Sequence, residues 1–276
     1  MTDRGGDEVL IYAHRAHLHY RGLRDATIYQ RQRVLVRLQA HTRTPLLDTT
    51  ALQLEDRLAA VPAAESRACE LSHLRGFYGW AIDVGHLEVD PTARLRRPRT
   101  YRRLPRPIAE DDLALAVAQA PDRVRPWLLL AGWAGLRASE IARLRAEDLD
   151  ATFLVVRESK NHRDGVVPLS PWLVDQLGRC DLARHGWLFP RRDGRPGPNR
   201  AWTVSQLANR HLHSLGLADT LHTLRHRFGT QVQRAGRDFR VTQELMRHES
   251  PVSTAIYTLV DRADLAAAVR DLPVVA

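Results

Sequence analysis

Lysine is almost missing from this chain: of its 41 lysines and arginines, only Lys160 is a lysine. Cysteine is nearly as scarce. Cys69 and Cys180 stand far apart, which excludes a disulfide framework and any Cys-x-x-Cys motif and fits a reducing cytoplasm. No apolar run approaches the ~18 residues a membrane helix needs, so no membrane partner is expected. The start, Met1 to Gly6, lacks the apolar core of a signal peptide. Five histidines lie between His211 and His248, but no His-Glu-x-x-His or Cys/His ligand spacing accompanies them, so a zinc site is not expected. No repeat of solenoid type is present.

What is present is length and positive charge. The 276 residues suffice for about two domains with ample cores, and the net charge of +9 suits solubility or, more pointedly, a polyanionic partner. The arginine bias reads first as compositional.

Residues 7–87 read as helical. Glu8 to Tyr20 mixes apolar and basic groups. Asp25 is expected to N-cap a helix from Ala26 to Ala40 with Ile28, Leu35 and Leu38 on one face. Thr49 or Thr50 is expected to cap a helix through Leu52, Leu54 and Leu58. Pro62 to Ala81 forms another, with Leu71, Leu74 and Tyr78 as core. Arg31, Arg33 and Arg37 read equally as a solvated face or a phosphate-contacting one. From residue 88 to 108 the character changes. Prolines 91, 98, 105 and 107 break helices, and seven arginines fall between Arg94 and Arg106 with no acid among them. This gives a domain of residues 1–90, a basic linker of 91–107 and a second domain of 108–276. Arg94, Arg96, Arg97, Arg99, Arg102 and Arg103 are candidate contacts to a nucleic-acid backbone, and such binding weakens steeply with salt.

The second domain opens with a helix from Ile108 to Ala120, whose Glu110, Asp111 and Asp112 suit its positive end. Val124 to Trp133 is an apolar helix, followed by Gly135-Leu136-Arg137-Ala138-Ser139-Glu140. Gly135 marks a turn that aims Arg137 into a cleft. Phe153–Arg157 and Val166–Leu169 read as short strands, joined by a polar segment that carries Lys160. A helix from Pro171 to Gly178, a strand from Gly186 to Pro190, and helices from Trp202 to Leu215 and His222 to Ala235 follow. Gly236 closes the last of these.

The densest chemistry lies between His222 and Tyr257. It reads His222-Thr223-Leu224-Arg225-His226-Arg227-Phe228, then Met246-Arg247-His248, then Thr254-Ala255-Ile256-Tyr257. Arginine grips two phosphate oxygens in a planar fork and stays charged at any working pH. Histidine handles protons near neutrality, and a phenol becomes a covalent nucleophile when its charge is stabilised. His222 and Arg225 are three apart and share a helix face.

These stretches resemble boxes I and II of the tyrosine recombinase (phage integrase) family. Gly-Leu-Arg-x-Ser-Glu is matched at Gly135, Leu136, Arg137, Ser139 and Glu140. His-x-Leu-Arg-His-x-Phe, Leu-Gly-His and Thr-x-x-Tyr are matched at His222, Leu224, Arg225, His226, Phe228, His248, Thr254 and Tyr257. Two positions depart. Met246-Arg247 stands where the family has Leu-Gly, and Asn161 replaces the glycine after the hairpin lysine.

The resemblance implies a mainly α fold with a small β-sheet, in which a helical core-binding domain precedes an α+β catalytic domain. It implies that Tyr257 attacks a phosphorus in double-stranded DNA at a specific site. Arg137, Arg225 and His248 would steady the phosphate charge, Lys160 protonate the leaving 5′ oxygen, and His222 assist proton movement or position the phosphate. A lysine can be tuned to release a proton whereas arginine cannot, which gives the single lysine a chemical reason. The implied assembly is a homotetramer on DNA in the cytoplasm, associated with the nucleoid. Accessory proteins are not specified. Two other readings share the residues: a type IB topoisomerase-like enzyme, and a DNA-binding regulator without catalysis.

Overall fold

A computed structural model describes residues 4–100, 107–157, 164–236 and 238–247. It is mostly helical with one small sheet, and it divides into two compact units, residues 1–102 and 103–276. Among the described residues no helix is long and apolar enough to cross a membrane.

The N-terminal unit packs α1 (Arg4–Tyr20), α2 (Asp25–Thr42), α3 (Ala51–Ala59) and α4 (Ala64–Asp83) around Leu35, Leu38, Leu54, Leu71, Leu74, Phe77 and Tyr78, each at most 1% exposed. α2 touches the other three helices. Asp25 does not cap it: the N-cap is Arg24, with no side-chain hydrogen bond, and Asp25 sits in the first turn, where its charge meets the positive helix end. At α3 Thr50, not Thr49, is the cap. It accepts from the Gln53 amide while the Gln53 side chain accepts from the Thr50 amide, a reciprocal box that satisfies two otherwise unpaired donors. Residues 91–95 stay with this unit, with Thr92 and Leu95 buried and the Leu95 carbonyl accepting from Arg75 Nη2 at 2.6 Å. Arg94, Arg96, Arg97 and Arg99 are exposed. Arg102 and Arg103 lie outside the described residues.

The C-terminal unit is built on α6 (Arg125–Trp133), which is apolar all round and therefore interior, with Trp127 through Ala131 fully buried. α5 (Glu110–Ala118), α7 (Ala138–Ile141), α8 (Pro171–Gly178), α9 (Ala201–Ser214) and α10 (Leu221–Arg234) all pack on it. α11 (Phe239–Leu245) leans on α10. β1 (Phe153–Val156) and β2 (Gly165–Pro168) pair antiparallel, Leu154 opposite Val167, and turn Leu154, Val156 and Val167 into the core. The strand expected from Gly186 to Pro190 does not form. Proline has no N–H for a ladder, and the segment is instead held by two backbone bonds to the loop after α7, Leu188 N to Leu144 O and Ala146 N to Gly186 O, both 2.8 Å. Only isolated bridges result, Arg145 to Trp187 and Pro190 to Pro198.

Candidate active site

α6 ends in a tight turn. Gly135 takes φ +62°, a left-handed conformation natural to glycine. It is also close-packed, since a Cβ there would overlap the Phe228 ring of α10. Box I and box II thus meet at a point where one needs a glycine and the other supplies an aromatic face.

The turn delivers Arg137 as the N-cap of α7. Glu140, three residues on, reaches back to the Arg137 amide at 2.8 Å and to its Nη1 at 2.7 Å. Glu140 is 8% exposed, and it is the hub of the site. Arg225, on α10, comes within 3.6 Å of its Oε2 and donates to the carbonyls of Gly135 and Met246. Arg247 donates from Nη2 to Glu140 Oε2 at 2.7 Å and to the Gly135 carbonyl at 2.9 Å. Burial pushes the Glu140 carboxyl upward, but Arg247, then Arg225 and Arg137, outweigh it and hold the pKa at about 2. The carboxylate is therefore ionised at any working pH.

α10 begins with mutual support between Thr220 and Thr223 and a bond from the Leu221 amide to Asn209 Oδ1 on α9 at 2.8 Å. Its first turns place His222, Arg225 and His226 on one side. His222 has an exposed outer edge, and its inner edge lies against the His226 ring, with centroids 4.4 Å apart. Partial enclosure lowers the His222 pKa, and the charges of Arg225 and Arg137 lower it further. His226 is pushed down to about 4 by burial, then by His222 and Arg225. Both shifts favour the neutral ring, the form in which an imidazole can accept or relay a proton. On another side of α10, Arg227 forks onto Glu110 at 2.6 and 2.9 Å, donates to the Gly132 carbonyl, and stacks over Trp133 at 4.8 Å. That brace ties α10 to α5 and α6 and fixes the depth at which Arg225 enters.

Arg137, Arg225 and His222 are thus brought together from segments about ninety residues apart. Lys160, His248 and Tyr257 lie outside the described residues. Arg247 immediately precedes His248, and β1 and β2 flank the segment that carries Lys160. A cleft of about 730 Å³ is lined by three arginines, Arg143, Arg145 and Arg157, two acids, Glu147 and Asp164, and Trp187, with Arg145 stacked on Trp187 at 4.5 Å. Two participants had no role assigned by the sequence reading: Glu140, quoted only as part of a motif, and Arg247, visible only as a departure from a glycine. Among the described residues no group of three His, Cys, Asp or Glu side chains is placed to hold a metal ion.

The family model described as the phage integrase family matches residues 109–263, more than half of the chain. Tyrosine recombinase XerC of Xylella fastidiosa strain M23 is 37% identical over 215 residues, covering 72% of this chain and 71% of that protein. Tyrosine recombinase XerD of Mycobacterium leprae is 33% identical over 230 residues, covering 74% and 72%. Among solved structures, a lambda integrase tetramer bound to a Holliday junction matches with a TM-score of 0.73 at 20% identity, covering 94% of this chain and 80% of that one. With the box I turn, the box II helix and the arginine cluster between them in place, the chain belongs to the phage integrase family of tyrosine recombinases.

Proposed function

We propose that this chain is a site-specific DNA recombinase that cuts and rejoins strands through a 3′-phosphotyrosine, without metal or cofactor. The Tyr257 oxygen attacks the scissile phosphorus, the P–O5′ bond breaks as the Tyr257–phosphate bond forms, and the phenol's proton passes to water. Lys160 protonates the leaving 5′ oxygen. Arg137 and Arg225, with His248, hold the non-bridging oxygens as charge builds, and preorganised cations of this kind supply much of the catalysis in phosphoryl transfer. His222 assists the proton movements. A 5′ hydroxyl from another strand then reverses the step, and the bond energy kept in the tyrosine link makes a nucleotide cofactor unnecessary.

The observation that carries this reading is the convergence of Arg137, Arg225 and His222 on one small region beside the Gly135 turn. The roles of Lys160, His248 and Tyr257 rest on the match to the family pattern. In this reading residues 1–90 are the DNA core-binding domain and residues 91–107 the linker to the catalytic domain of 108–276. Arg94, Arg96, Arg97 and Arg99, with Arg102 and Arg103, follow the phosphate backbone. The working form is a homotetramer on two sites of double-stranded DNA, within the cytoplasm. Relatives and structural neighbours acting as recombinases support it, including a neighbour solved as a tetramer on a junction.

The test is to incubate the full chain with a pool of nicked duplexes of randomised sequence, so that the cleaved strand diffuses away and the covalent complex is trapped. A trapped complex that enriches one sequence, and that vanishes in Tyr257→Phe while duplex binding stays, is the expected result. Relaxation of any plasmid without sequence enrichment would point to a topoisomerase-like activity. Tight binding without a trapped complex would point to a regulator.

A further inference from the structure

Arg247 has a backbone that argues against its own identity. Its φ is +51°, in the left-handed region where a Cβ is unfavourable and where the family pattern has glycine. Side-chain contacts hold it there. Nη1 donates to the Leu245 carbonyl at 2.8 Å, Nη2 to the Gly135 carbonyl at 2.9 Å and to Glu140 Oε2 at 2.7 Å, and Nε points to Glu140 Oε1 at 3.4 Å. In return its own carbonyl lies 3.4 Å from Arg137 Nη2. The stem needs room, and Gly165 at the start of β2 provides it, since a Cβ there would sit 2.7 Å from Arg247 Cδ.

The side chain of Arg247 is 5% exposed, whereas that of Arg137 is 33% exposed. Arg137 opens outward; Arg225, at 2%, is as enclosed as Arg247, and what sets Arg247 apart is that it turns Nε and Nη2 onto the Glu140 carboxylate. Around Glu140 three guanidiniums share one carboxylate. With a glycine at 247 that carboxylate would be shared by Arg137 and Arg225 alone. Arg247 reaches both oxygens of Glu140, Oε2 at 2.7 Å and Oε1 at 3.4 Å, and shares Oε1 with Arg137 Nη1 at 2.7 Å, while Arg225 stays 3.6 Å away. In a site shielded from water such a partition of charge is worth far more than on the surface.

We infer that Arg247 is a positioning residue that shares the Glu140 carboxylate with Arg137, so that less of the Arg137 charge is neutralised there and more of it acts on a phosphodiester. This deepens the recombinase reading and rests on it for the identity of the phosphate. Arg247 acts through Glu140, so its effect depends on that carboxylate being present.

The variants are Arg247→Gly, which suits the backbone, and Arg247→Gly combined with Glu140→Gln, which keeps an acceptor for the Arg137 amide but removes the negative charge. On the duplex recovered from the randomised pool, Arg247→Gly is expected to bind within about twofold of the unaltered chain and to form the covalent complex about tenfold more slowly. Adding Glu140→Gln is expected to restore most of that rate, because no carboxylate remains to neutralise Arg137. A structural brace alone would not be rescued by removing a second of its bonds. A second probe needs no DNA: the rise in Tm given by inorganic phosphate should shrink in Arg247→Gly and return in the double variant. Failure of the double variant to recover either signal, or an unaltered rate in Arg247→Gly, overturns the inference. A chain that traps no duplex but shows the full phosphate pattern would sink the recombinase reading and leave the role of Arg247 standing.

Discussion

Each unit of this protein buries a glutamate, and the two are used differently. In the N-terminal unit Glu70 on α4 is held by Arg37 from α2 at 2.8 Å and by Arg57 from α3 at 2.9 Å, so one carboxylate ties three helices. In the C-terminal unit Glu140 is held by three arginines, two of them only 2% and 5% exposed, and the third, Arg137, opens outward. A tie needs only neutrality and bonds. A site for a phosphate needs positive charge left over after its internal partners are satisfied, kept where water does not screen it. The two differ in degree: Glu70 faces two arginines and Glu140 three, and the recombinase reading makes the second cluster the phosphate site.

The largest effect that separates them comes from removing one arginine on each side. Arg225→Ala should cut the rate of covalent complex formation by at least about a hundredfold, the usual loss when a preorganised charge partner goes. It should also lower Tm, since the Met246 carbonyl loses its Arg225 donor and the Gly135 carbonyl keeps only Arg247. Arg57→Ala should destabilise the chain by about 3 kcal/mol through the broken buried pair, yet leave the rate from DNA-saturated protein within about twofold. Single-turnover trapping alongside thermal unfolding reads both, and an equal chemical loss from Arg57→Ala would erase the distinction.

A smaller effect compares two glycines with positive φ. Gly135→Ala must place a Cβ on the Phe228 ring and should cost about 2–4 kcal/mol. Gly85, at φ +79° in the N-terminal unit, has nothing within 4 Å of such a Cβ, so its alanine variant should cost only about 1 kcal/mol, the backbone share. Denaturant titration measures both, and equal costs would mean that the contact between the two boxes is loose.

The smallest effect is in pH. His14 packs edge-on to Phe77 at 5.2 Å and beside Trp80 at 5.0 Å. Burial, then Arg31 and His17, push it down to about 4, the value His226 also reaches in the other unit. Below 6.5 the unfolded chain takes up these protons, while the folded chain does so only near 4. Stability therefore falls as pH drops from 6.5 towards 4 and levels off below it. His14→Phe should flatten that slope for the N-terminal unit and His226→Phe for the C-terminal one. Thermal unfolding at pH 7 and pH 4.5 checks this, and an unaltered chain indifferent to that change would contradict the assignment.

Much of the fold was legible because local chemistry and periodicity agreed. α8 begins at Pro171 under its Ser170 cap, where the sequence placed it, and the apolar run that forms α6 is interior as its composition demanded. Asp25 misled because a residue suited to an N-cap is equally at home in the first turn. The segment after Gly186 misled because its pairing partner is the loop that follows α7, a tertiary choice invisible in a short apolar stretch. Leu95 and Thr92 sit in a stretch that reads as linker, yet they pack on the first unit. At the site, Arg137, His222 and Arg225 were marked by motif. Glu140 and Arg247 took no role from the sequence because theirs depends on a contact between residues 107 apart in sequence and on one left-handed backbone angle.

The most direct test of the whole account is chemical. The trapped protein–DNA complex is digested and the peptide bearing a nucleotide is identified by mass spectrometry. The account predicts a single modified residue, Tyr257, joined to a 3′ phosphate, with the freed strand ending in a 5′ hydroxyl. A nucleotide on any other side chain, or a link through a 5′ phosphate, would contradict it.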